Sequence, residues 1–265
     1  MNANALKDAC LSVVIPVYNE EVTIAVVVQK VLAVPNLLEI IIVDDGSSDR
    51  TAEVLASIAS IHSNVRVERL SRNSGKTAAL RAGFALTRGE IVIVQDADLE
   101  YDPNEIAGVI GPILEGHADV VFGSRFLVRR ATRVLYFYHY VANKLLTFLS
   151  NMFTNLNMTD IETGYKAFRG EIIRNMIIVS NGFGFEVEAT AKIGKLGVSV
   201  YEVPISYYGR TYAEGKKISF ADGVMALWLV IRFNVFCSRR RSFRNFPEIS
   251  AKSITAPAIE SERTS

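Results

Sequence analysis

Residues 38–49, LEIIIVDDGSSD, join an apolar run to a loop of acidic and small polar residues. The four consecutive β-branched residues at 40–43 predict a strand that is buried on both faces. Ser48 and Asp49 are each able to cap the helix that should follow. A strand that is apolar throughout and leads at once into a helix is typical of a mostly parallel α/β sheet with helices on both faces.

The same strand–helix unit recurs along the first half of the chain. There we predict strands at 11–15, 38–43, 65–70, 91–94 and 119–122, and helices at 20–34, 49–60, 77–87 and 103–115. In the second half we predict helices at 131–155, 184–197 and 218–238, a strand at 198–203, polar loops at 160–169 and 207–217, and a disordered polar tail at 242–265. The predicted fold class is α/β with a mostly parallel central sheet.

The composition excludes several classes of protein. The chain has 265 residues, of which 49% are hydrophobic and 22% charged, with a formal net charge of +1. These values are typical of a soluble globular protein with one large α/β domain or two small ones, and they predict no nucleic-acid partner. Two cysteines are too few for a disulfide framework, and the polar amino terminus predicts no signal peptide, so we expect a cytoplasmic protein. No run approaches the roughly 18 apolar residues needed to span a bilayer.

Ligands of such sheets bind at the carboxyl ends of the strands, and polar loops lie there. The loops are residues 16–21, 44–49, 96–100 and 123–125. In an extended segment Asp96, Asp98 and Glu100 would point to one side and hold a divalent cation such as Mg²⁺ beside substrate phosphates. The alternative is a solvated acidic loop before the next helix. An EF-hand is excluded because Tyr101 stands where that loop needs glycine.

Two further loops at this edge each have two interpretations. The adjacent acids Asp44 and Asp45 suit nucleoside hydroxyls, but they also suit turn and capping chemistry. The segment NSGKT at 73–77 resembles the end of a P-loop, yet Leu70 stands where the first glycine of a P-loop is required. Lys76 therefore lies near a phosphate or is an ordinary solvated lysine.

Cations follow the fifth strand and fill the late loop. They are Arg125, Arg210, Lys216 and Lys217. Guanidinium and ammonium groups suit phosphate oxygens, although the same residues would be unexceptional on a surface. Hydrolytic nucleophile chemistry has no support, because the chain has no G-x-S-x-G elbow and its three histidines lie outside these loops.

Six motifs occur in a characteristic order: SVVIPVYNEE, IIIVDDGSSDRT, VIVQDADLE, DVVFGSR, TDIETGYKAFR and YYGRTYAEGKK. Over residues 11–218 they resemble the family 2 glycosyltransferases with the GT-A fold, and most closely the polyprenyl-phosphate (dolichyl-phosphate) mannosyl- and glucosyltransferases. The resemblance implies inverting transfer of mannose or glucose from a GDP- or UDP-linked sugar, with Mg²⁺ or Mn²⁺ as cofactor. The acceptor that it implies is a lipid phosphate.

The resemblance also assigns roles to residues. It implies a nucleotide-sugar site at Pro16, Tyr18, Glu20, Ile42, Asp44, Asp96, Ala97 and Asp98. It implies metal ligands at Asp96 and Asp98, with Asp98 the principal one, to which the spacing of the acids adds Glu100. It also implies a catalytic group of Asp96, Asp98, Arg125 and Arg210. The diphosphate and acceptor would meet Arg125, Arg210 and either Lys216 or Lys217. Glu100 departs from the pattern, since the lipid-phosphate enzymes more often carry glutamine there.

The resemblance implies a GT-A domain over 1–222, with a nucleotide-binding half at 11–125 and an acceptor half at 126–222. Residues 223–241 read as an amphipathic helix, since an apolar stretch with one tryptophan runs into three arginines. We expect it to lie on the cytoplasmic face of a membrane as a peripheral attachment. A core helix or an oligomer interface is the alternative, and a membrane-embedded protein or a second copy of the chain are further candidate partners.

The acceptor decides whether a base is needed. A phosphate monoester is already anionic at neutral pH, whereas a hydroxyl acceptor requires a base. Glu186 is the first candidate for that base, with Glu188, Asp160 and Glu162 as others. Two alternatives stay open. The acceptor is a soluble phosphorylated acid or a glycan hydroxyl in place of a lipid, or the protein is a sugar-nucleotide-binding subunit without turnover.

Overall fold

The computed structural model describes residues 9–127, 136–209 and 220–245, which build a seven-stranded sheet. The strands are β1 Leu11–Val17, β2 Leu37–Asp44, β3 Val65–Arg69, β4 Ile91–Val94, β5 Val120–Ser124, β6 Lys166–Arg169 and β7 Val200–Pro204. Their order across the sheet is β3-β2-β1-β4-β6-β5-β7. Pairings among these strands are parallel except for the two that β6 makes, which confirms the mostly parallel sheet.

Helices connect the strands, and further helices follow the last strand. They are α1 Ile24–Leu32, α2 Thr51–Ile61, α3 Lys76–Leu86, α4 Ile106–Leu114, α5 Phe137–Thr154, α6 Gly170–Asn175, α7 Phe185–Ile193, α8 Phe220–Val235 and α9 Arg239–Ser242. A 3-10 turn at Pro103–Glu105 precedes α4, and its proline stands in the first turn, where no backbone donor is needed. In the first half of the chain, each predicted helix overlaps an observed one.

Strand β6 corrects the loop predicted at 160–169. Its two apolar residues are fully buried, and Lys166 is buried as well. The Lys166 ammonium donates hydrogen bonds to the carbonyl oxygens of Ile161 and Thr163. A lysine and an arginine stand at the two ends of this short strand. Its sequence therefore looks polar, although the strand lies in an apolar environment. The short helix α6 that follows it was also not predicted.

Alternate side chains of the central strands enter two different cores. Val13 and Ile15 of β1 pack with residues of α1, α2 and α4, whereas Val14 packs with residues of α3, α7 and α8. Burial of apolar surface contributes about 25 cal/mol per Å², so covering both faces of the sheet is the main source of stability. Burial on both faces explains why the strands read as continuous apolar runs.

The helix predicted at 218–238 begins at Phe220 and is part of the folded body. It packs against α5 and α7, and Val230 and Phe233 are buried. Within the described ranges, none of the helices combines the length and apolarity needed to cross a bilayer. One face of α8 thus packs in the core, and its other face is available to solvent or to a partner.

The chain beyond α8 folds back onto the domain. Phe243 is buried and forms a β-bridge with Met176. The Ile177 amide donates to the Ser242 carbonyl at 2.9 Å. The disordered tail predicted from 242 was therefore placed too early, because one apolar side chain anchors the segment; residues 246–265 lie outside the described part of the chain.

Candidate active site

A cleft of about 390 Å³ opens at the carboxyl ends of β1, β2 and β4. The predicted site residues that line it are Pro16, Tyr18, Glu20, Asp96, Ala97, Asp98, Glu100, Arg125 and Glu186. Loops that are distant in sequence thus meet at the edge of the sheet where the sequence placed them. The cleft is also lined by Asp45, Lys76 and Glu162, for each of which a site role was one interpretation of the sequence. Phe183 and Tyr207 line it as well, and the sequence did not assign either of them to a site.

Other predicted site residues lie elsewhere. Ile42 is fully buried within β2 and packs in the core. Asp44 is also buried, with its Oδ1 accepting from the Ser47 amide at 2.8 Å and its Oδ2 3.3 Å from Arg69 Nε. Its neighbour Asp45 is the one that reaches the cleft. The predicted late-loop residues Arg210, Lys216 and Lys217 lie outside the described residues.

The acidic segment after β4 is a turn rather than an extended strand. Leu99 has a φ of +61°, which bends the backbone between Asp98 and Glu100. The alternation predicted for the three acids is therefore wrong as a description of the backbone, although all three line the same cleft. Glu100 accepts a 2.9 Å hydrogen bond from the Tyr207 hydroxyl, which holds it against the far wall.

Negative charge is crowded around Asp98. Burial, followed by the charges of Asp96 and Glu100, raises the pKa of Asp98 to about 7. In the described part of the chain, no set of three or more His, Cys, Asp or Glu side chains is arranged to hold a metal ion. The predicted three-acid metal site is therefore absent from this arrangement, in which Glu100 binds Tyr207. A cation near Asp98 would nonetheless relieve the repulsion.

The NSGKT segment brings a lysine into this cleft. The Asp45 carboxylate accepts hydrogen bonds from the amides of Ser74 at 2.8 Å and Gly75 at 2.7 Å. Gly75 has a φ of +89°, and a Cβ there would lie 2.9 Å from the Cα of Gly182, so only glycine fits. Asp45 thus fixes the loop from which α3 and its first residue, Lys76, begin.

Lys76 is ion-paired with an acid of the turn after β4 and with an acid of α7. Its Nζ lies 2.8 Å from Asp96 Oδ1 and 3.0 Å from Glu186 Oε1. Burial lowers the pKa of Lys76, but the charges of Asp96 and Glu186 outweigh burial and raise it well above its ordinary value. The solvated-lysine interpretation is therefore wrong. A lysine directly after a glycine at a helix start was the sequence signal for this position.

Arg125 lines the cleft but is bound to a buried acid. Its Nε and Nη2 donate to Asp160 at 2.7 and 2.8 Å, and its guanidinium lies 5.2 Å from the centre of the Tyr207 ring. Asp160 is fully buried. The predicted contact between Arg125 and a phosphate stays a prediction, since in this structure the planar fork is occupied by Asp160.

Glu162 and Glu186 share an unusual feature. Each lines the cleft, and each has one buried carboxyl oxygen for which the described residues supply no hydrogen-bond partner, Oε1 in Glu162 and Oε2 in Glu186. Burial, followed by the charge of Glu186, raises the pKa of Glu162 to about 7. The sequence suggested both only as candidate bases, because their burial depends on how β6 and α7 pack against the distant β4 and α3.

We expect Glu162→Gln to stabilise the protein in a pH-dependent way. The folded pKa near 7 exceeds the ordinary value of 4.5, so burying the anion opposes folding above pH 7 and has no effect below about pH 4.5. Glutamine removes that penalty, which is about 2 kcal/mol after allowance for partial exposure. Thermal unfolding should show a higher melting temperature for the variant at pH 8 and a smaller difference at pH 5. An equal difference at both pH values would contradict the assignment.

Residues 12–177 match the model of the family described as glycosyl transferase family 2. The chain is 37% identical over 172 residues to the undecaprenyl-phosphate 4-deoxy-4-formamido-L-arabinose transferase of Pectobacterium carotovorum, a match that covers 63% of this chain and 51% of that protein. It is 31% identical over 211 residues to the polyprenol monophosphomannose synthase of Mycolicibacterium smegmatis, covering 77% of this chain and 79% of that one. The chain thus spans about half the length of the first relative and most of the second.

Solved structures share the fold. The crystal structure of glucosyl-3-phosphoglycerate synthase from Mycobacterium tuberculosis superposes with a TM-score of 0.65 at 21% identity, covering 85% of this chain and 81% of that one. The complex of that enzyme with Mn²⁺ and UDP-glucose gives a TM-score of 0.65 at 23% identity, covering 85% and 79%. At these identities the likeness concerns the fold alone, and it confirms the predicted GT-A architecture.

Proposed function

Because this chain belongs to glycosyl transferase family 2, we propose that it transfers a hexose, mannose or glucose, from a GDP- or UDP-linked donor to polyprenyl phosphate with inversion at the anomeric carbon. The family that the motifs indicated is confirmed. The observation that carries the proposed acceptor is the likeness to a polyprenol monophosphomannose synthase along 79% of its length. The relatives with 4-deoxy-4-formamido-L-arabinose in their names also use a polyprenyl phosphate by name.

The charges of the cleft support a diphosphate leaving group. Lys76 is the positive centre, and Asp96, Asp98 and Glu100 place negative charge beside it. A nucleoside diphosphate would replace part of the ion pairing of Lys76 and bring phosphate oxygens into the cleft. The lysine would then stabilise the charge that develops on the departing diphosphate.

The residues around Asp98 fit a divalent metal. Burial and the charges of Asp96 and Glu100 raise the pKa of Asp98, so a cation beside these acids would favour its charged form, and carboxylates are the ligands that Mg²⁺ and Mn²⁺ prefer. Asp96 and Asp98 would hold the ion together with donor phosphate oxygens, and Glu100 would tune it from its place on Tyr207. Bound there, the metal would act as a Lewis acid toward the leaving diphosphate.

A phosphate acceptor simplifies the chemistry. Its oxygen is already anionic, so the protein has to position it and does not have to deprotonate it. Glu186 Oε1 is already paired with Lys76 at 3.0 Å, so this oxygen is not directed at an acceptor hydroxyl. The site therefore suits a phosphate acceptor better than a sugar hydroxyl.

A donor-by-acceptor screen tests the function. UDP-glucose and GDP-mannose carrying a radiolabelled sugar are each offered with undecaprenyl phosphate or with 3-phosphoglycerate, in the presence of Mg²⁺ or Mn²⁺. We expect label in the organic phase only with the lipid acceptor and a metal ion. Transfer to the soluble acid alone would replace the proposed acceptor, and no transfer with any pair would contradict the proposal.

An exposed apolar face on α5 and α8 supports a location at a membrane. Its side chains that are at least half exposed are Phe137, Tyr138, Leu145, Phe148, Met152, Val224, Met225, Trp228 and Val235, and the exposed Phe236 follows α8 directly. The two helices pack against each other, and α9 adds three exposed arginines. An apolar face of this size with cations at its border fits an anionic lipid surface, where the lipid acceptor resides.

We expect the protein to bind vesicles that contain anionic lipid through this apolar face. Emission of Trp228, the one tryptophan of the chain, should shift to shorter wavelength on binding. Replacing Phe148 and Met152 by serine should weaken binding at least about tenfold, since each buried side chain contributes about 1.5–3 kcal/mol. Serine at Val22 and Ile61, which are 81% and 71% exposed elsewhere, is the matched control. Equal flotation of both double variants would defeat the proposed orientation.

A further inference from the structure

Four buried side-chain atoms in the described part of the chain have no hydrogen-bond partner. Asp44 Oδ2 and Ser180 Oγ do not line the cleft, whereas Glu162 Oε1 and Glu186 Oε2 both belong to residues that do. A buried acceptor without a partner is unfavourable by about 1–3 kcal/mol, so two of them on one cleft indicate that a ligand supplies the donors.

The position of these oxygens identifies which part of the ligand they meet. The other oxygen of Glu186 is 3.0 Å from Lys76 Nζ, which is 2.8 Å from Asp96. If the diphosphate lies at Lys76 and Asp96, as the proposed function has it, Glu186 stands beside the group bonded to the phosphates. In a nucleotide sugar the diphosphate is bonded to the nucleoside at one end and to the sugar at the other. If the nucleoside lies at Pro16 and Tyr18, where the resemblance places it, the sugar is the end left for Glu186.

The backbone that carries Glu162 is held in place. The buried Lys166 ammonium donates to the carbonyls of Ile161 and Thr163, on either side of Glu162. Gly164 completes the turn, and a Cβ there would lie 2.4 Å from Asp96 Oδ2. The backbone of Glu162 is therefore fixed beside the acidic turn.

We propose that Glu162 Oε1 and Glu186 Oε2 accept hydrogen bonds from hydroxyl groups of the donor sugar, and so select a sugar that presents hydroxyls and carries no carboxylate. This inference rests on the proposed function. A hydroxyl donates to either oxygen, whereas at pH 8, above the pKa of about 7 of Glu162, the carboxylate of a hexuronate would be repelled by the charged Glu162 carboxyl. The two glutamates thus select the donor sugar in two ways: they accept hydrogen bonds from its hydroxyls and they disfavour a sugar that carries a carboxylate.

Binding measurements separate the sugar contacts from the phosphate contacts. Calorimetric titrations with UDP, UDP-glucose and UDP-glucuronate, and with GDP and GDP-mannose, are made for the wild type, Glu162→Gln and Glu186→Gln. We expect Glu162→Gln to weaken the nucleotide sugar that binds by about tenfold, while the matching nucleoside diphosphate changes less than twofold. We expect UDP-glucuronate to bind at least tenfold more weakly than UDP-glucose.

Glu39→Gln is the matched control. Glu39 is a buried glutamate paired with Arg88 in the amino-terminal half of β2, away from the cleft, and its replacement should change none of these affinities. Unchanged affinity for the nucleotide sugars in both cleft variants, or equal affinity for UDP-glucuronate and UDP-glucose, would overturn the inference. Failure of both UDP and GDP to bind would instead overturn the proposed function, and the inference with it.

Discussion

Replacing Asp98 by asparagine should reduce glycosyl transfer by about a thousandfold or more. Asp98 carries the strongest repulsion in the acidic turn, and in the proposed mechanism it is the principal ligand of the metal that offsets the charge of the leaving diphosphate. The measurement is transfer of labelled sugar at saturating Mg²⁺ or Mn²⁺. Retention of more than a tenth of wild-type activity would defeat the metal assignment.

The same variant should be more stable than the wild type at alkaline pH. The folded pKa of Asp98 is about 7 against an ordinary value of 3.8, so its anion opposes folding above pH 7. Asparagine should raise the free energy of unfolding by about 2 kcal/mol at pH 8, after allowance for partial exposure, and by less as the pH falls toward 4. Gain of stability with loss of transfer distinguishes a functional acid from a structural one.

Asp102→Asn is the control for both measurements. Asp102 lies four residues away, pairs with Lys30 at 3.2 Å and does not line the cleft. Transfer should stay within about twofold of wild type, because an exposed ion pair of this kind contributes at most about 1 kcal/mol. A large loss of transfer in this variant would mean that the segment responds to any change of charge, and the role given to Asp98 would fall.

Replacing Arg125 by methionine should destabilise the protein by about 3–5 kcal/mol. The substitution leaves the carboxylate of Asp160 fully buried and without its bidentate partner, which is one of the most unfavourable changes in a protein interior. Urea unfolding monitored by circular dichroism gives the change in free energy. Transfer should fall as well, since Arg125 supports Tyr207 and the wall of the cleft.

A second substitution separates the charge from the packing. Adding Asp160→Asn to Arg125→Met removes the buried charge and should restore about half or more of the lost stability, without restoring transfer. If the double variant is as unstable as the single one, packing of the guanidinium accounts for the effect. If the double variant regains full transfer, Arg125 has no part in the reaction.

The sequence predicted the first half of the fold well because the signals there are local. A run such as Ile40–Ile41–Ile42–Val43 carries its burial in its own composition, and Pro103 marks a helix start by its own chemistry. Strand β6 escaped prediction because its burial depends on neighbours that are distant in sequence. The contacts of the site residues were not predicted for the same reason, since their partners are distant in sequence.

The cleft was predicted as an edge of the sheet, but its contacts were not. Nothing in NSGKT indicates that Lys76 will lie between Asp96 and an acid more than a hundred residues later. The alternation of Asp96, Asp98 and Glu100 suggested an extended backbone, whereas the positive φ of Leu99 makes a turn. Pairing of buried charges is a property of the assembled fold, and a one-dimensional pattern contains only the residues that take part.

The segment between Met176 and Gly182 is held at both ends. At one end it is bridged to Phe243, beyond α8. At the other, the Gly182 carbonyl accepts hydrogen bonds from the Thr77 amide at 3.0 Å and the Thr77 hydroxyl at 2.9 Å, across 105 positions of sequence. The consequence is that one short segment connects the residues that follow α8 with the start of α3, where Lys76 of the cleft lies.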